Sequence, residues 1–422
     1  MHHFVYINDE LFCEGVSLSK IAAEVGTPVY VYSHATLERH FNVFDRAFEG
    51  LPHITCFSVK ASSNIALLRM FAGLGGGLDI VSGGELYRAR QAGVPGRRIV
   101  YSGVGKTREE MRAALEADIL MFNVESPQEL TLLNEVAGKT GRRARVALRV
   151  NPDVDPKTHP YISTGLKKNK FGIPIDSALD EYRRAAGLSH LDVAGVDCHI
   201  GSQLTEVSPF VDAVSRLRGL LDSLKAEGLD IKYLDLGGGL GITYDAEEPP
   251  DPSQYAQALG KALAGCGLTL ILEPGRVITG NAGVFVTKVL FTKSGQDKDF
   301  VVVDGAMNDL MRPSLYDAFH SVWPVGRTGR RSVTVDVVGP ICESGDFLAK
   351  DRDLPEFDPG DLLALMSAGA YGFSMSSNYN SRRRPAEVLV RGDKHFTIRA
   401  REKNEDLTRG EDIPPFLRNR AC

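Results

Sequence analysis

From residue 54 onward, short apolar runs alternate with longer amphipathic stretches. Runs rich in Val, Ile and Leu begin near Ile54, Leu78, Ile99, Ile119, Val146, Val193, Leu234 and Leu268. Between them lie segments with helical periodicity and good helix formers, at 64–72, 84–92, 107–117, 126–137, 209–226 and 253–264. Thr107 and the Ser126-Pro127 pair open two of these with residues that start helices well. Eight strand–helix units in roughly 250 residues predict a parallel (β/α)8 barrel. The competing architecture, a doubly wound open sheet, would carry a glycine-rich phosphate loop after its first strand, and Ser62-Ser63-Asn64 is not one.

The pattern differs on either side. Residues 4–7 and 28–32 read as strands and 18–25 as a short helix, with weak alternation. After about residue 281 the apolar runs 284–291, 300–304, 332–339, 362–366 and 387–390 follow one another without helices. Ser332 to Val337 alternates residue by residue, which predicts an antiparallel β-domain. The division expected is an N-terminal segment, 1–35, joining the β-domain, then a barrel over 36–280 and a C-terminal β-domain over 281–422. The charged, proline-containing tail from Arg401 is expected to be partly mobile.

Composition narrows the function classes. The chain has 422 residues, 43% of them hydrophobic and 24% charged, enough for two domains with substantial cores. A net charge of -5 offers no basic footprint for nucleic acid, and Arg382-Arg383-Arg384 reads as a solvated turn. Cys13, Cys56, Cys198, Cys266, Cys342 and Cys422 are scattered without paired spacing. That argues against a zinc site or a disulfide framework and fits a reducing compartment. No apolar run reaches membrane-spanning length and the first residues lack a signal-peptide core, so the expectation is a cytoplasmic protein without metal or membrane.

In a barrel, chemistry sits where strands end. Those ends carry Lys60, Asp79, Ser82, Ser102, Asn123, Arg149, His199, Gly237 to Gly239, Glu273 and Arg276. A lysine ending an apolar strand is expected to lose charge by burial, and a neutral amine attacks carbonyl carbons. Lysine is also the residue that holds pyridoxal phosphate as a Schiff base. Gly237-Gly238-Gly239 would let backbone N–H groups approach a phosphate. Glu273 at the barrel mouth could keep a pyridine nitrogen protonated, and Arg276 could grip a carboxylate or phosphate. Each feature has an ordinary structural reading too: a snorkelling lysine, a tight turn, an internal Glu–Arg pair. The same holds for the acidic loop Cys342-Glu343-Ser344-Gly345-Asp346 and for the loops around Arg312 and Tyr371.

The ordered set is more specific than its parts. Ser58-Val59-Lys60-Ala61, Asp79 to Glu85, His199-Ile200-Gly201-Ser202-Gln203, Gly237-Gly238-Gly239 and Glu273-Pro274-Gly275-Arg276 stand in one sequence, followed by Arg312 to Tyr316, Cys342 to Asp346 and Gly369 to Gly372. Over essentially the whole chain this resembles the fold-type III pyridoxal-phosphate decarboxylases, most closely their diaminopimelate decarboxylase branch. The resemblance implies a barrel followed by a β-domain. It also implies decarboxylation of meso-2,6-diaminopimelate to L-lysine and CO2 with pyridoxal 5'-phosphate, by a homodimer that shares its active sites.

In that family pattern Lys60 would carry the cofactor, with Asp79 beside it, and His199 would stack on the ring. Glu273 would pair with the ring nitrogen. Ser202, Gly237, Gly238, Gly239, the backbone from Glu273 through Pro274 and Gly275 to Arg276, and Tyr371 would hold the phosphate. Arg149, Arg276, Arg312, Tyr316 and Tyr371 would contact substrate. Cys342, as proton donor, and Glu343, as a contact to the distal amine, would reach in from a second subunit. One departure stands out: the family usually reads Ala-Asn after the lysine, whereas this chain has Ala61-Ser62-Ser63-Asn64. The rival readings are a decarboxylase of ornithine, arginine or another diamino acid, a racemase on the same barrel, and a silent pyridoxal-phosphate binder.

Overall fold

The structure, a computed structural model, describes residues 2–155 and 170–418. Cys422 lies outside the described residues. Eight parallel strands form the first unit: His53–Ser58, Gly77–Ile80, Ile99–Tyr101, Met121–Val124, Ala144–Asn151, Leu191–Asp197, Tyr233–Asp235 and Thr269–Leu272. Each pairs with the next, and the eighth closes on the first through Leu270↔His53 and Leu272↔Thr55. This is the (β/α)8 barrel that the apolar rhythm predicts, and every strand starts within two residues of its expected position. A parallel sheet is covered on both faces, so its strands read as continuous apolar runs. Inside, Cys56, Val100, Met121, Ala147, Ala194 and Ile271, from six different strands, fill the barrel with a small cluster of their own.

Local chemistry sets where the surrounding helices begin. The side chains of Asn64, Ser82, Thr107, Ser126 and Asp251 each accept a backbone N–H from the first turn of the helix that follows. Such caps contribute about 1 kcal/mol apiece. The helix Ile175–Ala186 opens on Pro174 with no side-chain cap, and the sequence alone marks no span for it. Before it, Ile173–Pro174 adds a short parallel strand beside the fifth.

The second unit is a sheet through which the N-terminal segment runs. Val29–Ser33 pairs antiparallel with Gly283–Ser294 and parallel with Ala386–Arg391. Asp299–Val303 and Ser332–Val338 also pair in parallel, so the sheet is mixed, with most other neighbours antiparallel. Alternating hydrophobicity reports that a segment is a strand but not which way its partner runs. Every residue of Val29–Ser33 is buried. Val29 and Val31 face one apolar cluster, shared with Phe4, Leu11 and Val284. Tyr30 and Tyr32 face the core that the sheet shares with the barrel. Burial on both sides explains why this strand shows so little alternation. The strands Phe347–Pro355 and Lys394–Arg399 escaped the sequence reading because neither carries a continuous apolar run: charged residues at 350–353 interrupt the first, and the second has no buried residue. Among the described residues no helix is long and apolar enough to cross a membrane.

Hydrogen bonds at Ala61 and Asn64 fasten the sheet to the segment that follows the first barrel strand. The Tyr371 N–H donates to the Ala61 carbonyl at 2.8 Å. Asn64 donates its Nδ2 to Glu387 at 2.8 Å, and Tyr32 donates its hydroxyl to the same carboxylate at 2.9 Å. Arg399 pairs with Glu387 as well. Asn64 therefore serves as both a helix cap and a cross-unit tie, and Ser62, where the family usually has Asn, leaves that contact in place. Glu387 is almost fully buried. Replacing it by Ala strands a hydroxyl, an amide and a guanidinium, so Glu387→Ala should destabilise the protein by about 3 kcal/mol or more. A thermal or urea unfolding midpoint unchanged from wild type would contradict this.

Candidate active site

The first barrel strand stops at Ser58, and a single 3-10 turn, Val59–Ala61, carries Lys60. Register with the second strand sets Ser58 opposite Asp79. Asp79 is fully buried and accepts from Lys60 Nζ at 2.7 Å and from the Ser58 hydroxyl at 2.6 Å, both on Oδ2. Its other oxygen is buried without a hydrogen-bond partner. Lys60 keeps 37% of its side-chain surface open, but it lines an enclosed cavity rather than the outer surface. Burial by itself would pull the ammonium's pKa down. The carboxylates of Asp79 and Glu273 outweigh that and hold it above the ordinary lysine value. The expectation of a neutral amine is therefore corrected: in the ligand-free protein Lys60 is an ammonium clamped by Asp79.

Glu273 directly follows the eighth strand and shares the cavity wall with Lys60 because the barrel closes there. Ser102 donates to Glu273 at 3.3 Å, and Asn123 donates to Ser102 at 3.1 Å and to Asp235 at 2.9 Å. The Gly237 N–H donates to the other oxygen of Asp235 at 3.0 Å. Burial, followed by the charges of Asp235 and Asp79, drives the Glu273 carboxyl well above its usual pKa. Asp235 is pushed up to about 6, mainly by burial, and Asp197 is raised by burial and by Asp235. The floor of the site is thus a set of acids that resists full ionisation.

His199 Nδ1 accepts the Gly238 N–H at 3.2 Å. Burial, then the charges of Arg149 and Lys60, keep its ring neutral by holding its pKa well below the usual value. The ring lies so close to Gly237 that a Cβ there would come within 2.4 Å of Nδ1, and Gly237 also has φ +63°. A Cβ on Gly238 would meet the Glu273 carbonyl oxygen at 2.3 Å. The strand-end glycines are therefore required for packing as well as for any ligand.

Lys60, His199, Ser202, Gly237, Gly238, Gly239, Glu273, Pro274, Gly275, Arg276, Arg312, Tyr316 and Tyr371 all line one cavity of about 920 Å³, mouth included. Arg276 donates to the Tyr244 hydroxyl at 2.6 Å and to Ser202 at 3.2 Å, and stacks 4.8 Å from the Tyr371 ring. Its Nε is buried without a partner. A second space, lined by Tyr244, Glu247 and Phe319 among others, adjoins the first and shares Arg276, Arg312 and Tyr316 with it.

Four expected residues lie off this cavity: Asp79, fully buried against Lys60, and Arg149, Cys342 and Glu343. Arg149 is buried against Glu125 at 2.8 Å and reaches the His199 carbonyl at 3.4 Å. Cys342 is exposed, and its backbone N–H donates to Asn380 at 2.9 Å. Glu343 accepts the Tyr379 hydroxyl at 2.7 Å. Their loop is tied to the Arg312–Tyr316 helix where Ser314 donates to the Gly345 carbonyl at 2.6 Å. Tyr244, Asp197, Asp235 and His320 are the site residues that sequence reasoning passed over. For the two aspartates a signal existed, since each is an acid at the end of an apolar run, Val196-Asp197-Cys198 and Leu234-Asp235-Leu236.

A family model described as the pyridoxal-dependent decarboxylase, pyridoxal binding domain, matches residues 34–280. A curated diaminopimelate decarboxylase of Pseudomonas aeruginosa is 55% identical over 415 residues, 98% of this chain and 100% of that protein. The crystal structure of diaminopimelate decarboxylase from M. jannaschii, in co-complex with L-lysine, is 40% identical with a TM-score of 0.94, covering 99% of this chain and 100% of its own. That of the Helicobacter pylori enzyme complexed with L-lysine is 43% identical with a TM-score of 0.90, covering 93% and 98%.

The acid floor has a measurable consequence in the ligand-free protein. A carboxyl whose folded pKa is raised favours the native state while it is protonated. For Glu273 that contribution is complete below its ordinary value of 4.5 and is lost as pH rises toward the raised folded value. Glu273→Gln should therefore raise the thermal midpoint of the ligand-free protein at pH 8, by the equivalent of roughly 1–3 kcal/mol, and have a smaller effect at pH 5. A midpoint that falls at pH 8 would contradict the assignment.

Proposed function

Because the chain belongs to the pyridoxal-dependent decarboxylases, and within them to the diaminopimelate decarboxylase family, we propose that it removes one carboxylate of meso-2,6-diaminopimelate as CO2 and releases L-lysine, using pyridoxal 5'-phosphate. The observation that carries this reading is the meeting of Lys60 and Glu273 across one cavity at the closure of the barrel. The residues present suit the cofactor. Asp79 Oδ1 and Arg276 Nε are buried polar atoms with no partner of their own, and the wall at Gly237 and Gly238 is bare backbone into which no side chain would fit.

In this reading Lys60 would hold the cofactor through its amine, with Asp79 orienting Nζ. His199 would cover the ring, and Glu273 would pair with the ring nitrogen. Ser202, Gly237, Gly238, Gly239, Tyr371 and the segment from Glu273 through Pro274 and Gly275 to Arg276 surround the phosphate. When bound, pyridoxal phosphate supplies a ring that accepts the electron pair freed as the carbon–carboxylate bond breaks. Glu273, its carboxyl raised well above the usual range by burial, would share a proton with the ring nitrogen. Arg276 and Arg312 grip the carboxylate that stays on the product as cations matched to an anion, and Tyr316 offers it a hydroxyl donor. This favours a dicarboxylic substrate over ornithine or another plain diamino acid. Arg149, spent on Glu125, braces the His199 strand end rather than touching substrate.

Cys342 delivers a proton to the α-carbon after CO2 has left, and Glu343 contacts the distal amine. Both stand away from the cavity of their own chain, so the proposal includes a homodimer in which this loop completes the partner's site. A cytoplasmic setting suits it, since an exposed thiol persists in a reducing compartment.

Lys60→Ala should abolish the visible absorbance of the loaded protein and essentially all release of CO2 and lysine from meso-diaminopimelate. Normal turnover by that variant would refute the assignment. Mixing Lys60→Ala chains with Cys342→Ala chains should recover up to about a quarter of wild-type activity, because half the dimers would then carry one intact site. No recovery, with subunit exchange demonstrated, would refute shared sites.

A further inference from the structure

Arg312 is buried, yet among the described residues no carboxylate pairs with it. Its charge is left open toward the cavity that it lines with Tyr316. What holds the guanidinium is neutral. Its carbon sits 4.4 Å from the centre of the Tyr244 ring, and its Nη1 lies 2.9 Å from Nε2 of His320. Tyr244 in turn packs edge-on against the His320 ring at 5.5 Å.

The partners of His320 decide its proton. A guanidinium only donates, so Nε2 must be an acceptor. Nδ1 lies 2.8 Å from the Met366 carbonyl, which only accepts, so Nδ1 carries the hydrogen. Protonating Nε2 would set two donors against each other and put a second cation beside a buried one. His320 is fully buried, and its burial together with the Arg312 charge keeps it neutral, with a pKa near 3. An aspartate or glutamate in this position would orient Arg312 equally well, but it would neutralise the charge and compete with an incoming anion.

We infer that His320 is a positioning residue for substrate specificity: an uncharged acceptor that aims Arg312 at the retained carboxylate of the substrate without cancelling its charge. This rests on the reading of Arg312 as the grip for that carboxylate. His320 acts only through Arg312 and touches neither substrate nor cofactor.

The test is steady-state kinetics of the cofactor-loaded enzyme on meso-diaminopimelate. His320→Gln keeps an oxygen acceptor and an N–H donor and should stay within about threefold of the wild-type KM. His320→Phe keeps the ring packing but removes the acceptor, and should raise KM roughly ten- to a hundredfold with kcat changed little, the signature of lost uniform binding. His320→Glu should raise KM at least as far, by pairing with Arg312. Unchanged KM in both His320→Phe and His320→Glu would overturn the inference. So would equal losses of kcat and KM effect in all three variants, which would mark a structural role. If a variant does not fold, 15N-histidine spectra of the wild-type holoenzyme decide instead. A neutral Nδ1–H tautomer from pH 6 to 9 supports the inference, and an imidazolium or an Nε2–H tautomer overturns it. A wild-type enzyme inactive on meso-diaminopimelate would fault the underlying reading of function, not this assignment.

Discussion

The pairing of the eighth barrel strand with the first is the constraint on which the rest of the structure depends. Leu270↔His53 and Leu272↔Thr55 are ordinary backbone contacts between apolar strands. Their effect is to bring together two residues more than two hundred positions apart in the chain, Lys60 and Glu273. An open sheet of the same strands would leave them at opposite edges. The second sheet reinforces the junction from above, through the Tyr371–Ala61 backbone bond and the buried Glu387 that Asn64 and Tyr32 share.

Closure also concentrates charge. Asp79, Asp197, Asp235 and Glu273 are all buried around one end of the barrel, with Lys60 and Arg149 as the nearby cations. A protein built for stability alone would not gather four acids in a dry interior. Here the cost takes a chemically useful form. Burial raises the carboxyls of Asp197, Asp235 and Glu273 and lowers the His199 ring, while Lys60 stays charged against Asp79. The same logic runs toward the mouth with opposite sign. Arg276 and Arg312 are held by a tyrosine, a serine and a neutral histidine, so their charges remain unspent.

Much of this was legible in the sequence because it is local or periodic. Eight apolar runs fixed by period and spacing reveal the barrel, and residues at their ends reveal Lys60, His199 and Glu273. What was not legible is what depends on register and neighbours. The rule that burial discharges a lysine fails at Lys60, because strand register places Asp79 against it, a fact that no spacing along the chain encodes. Arg149 looks like a ligand-binding cation until its partner Glu125, from the neighbouring strand end, is seen. Tyr244 and His320 sit in loops with no pattern, and only the folded chain brings them to Arg276 and Arg312. The parallel pairings of the second sheet escaped notice because alternation carries no direction.

The central claim is that Lys60 is the amine that captures the cofactor's aldehyde. Borohydride reduction of the protein loaded with pyridoxal 5'-phosphate, followed by digestion and peptide mass spectrometry, tests it most directly. The account predicts a single phosphopyridoxyl adduct on the peptide that contains Lys60. An adduct on another lysine, or none in a protein that turns over its substrate, would contradict it.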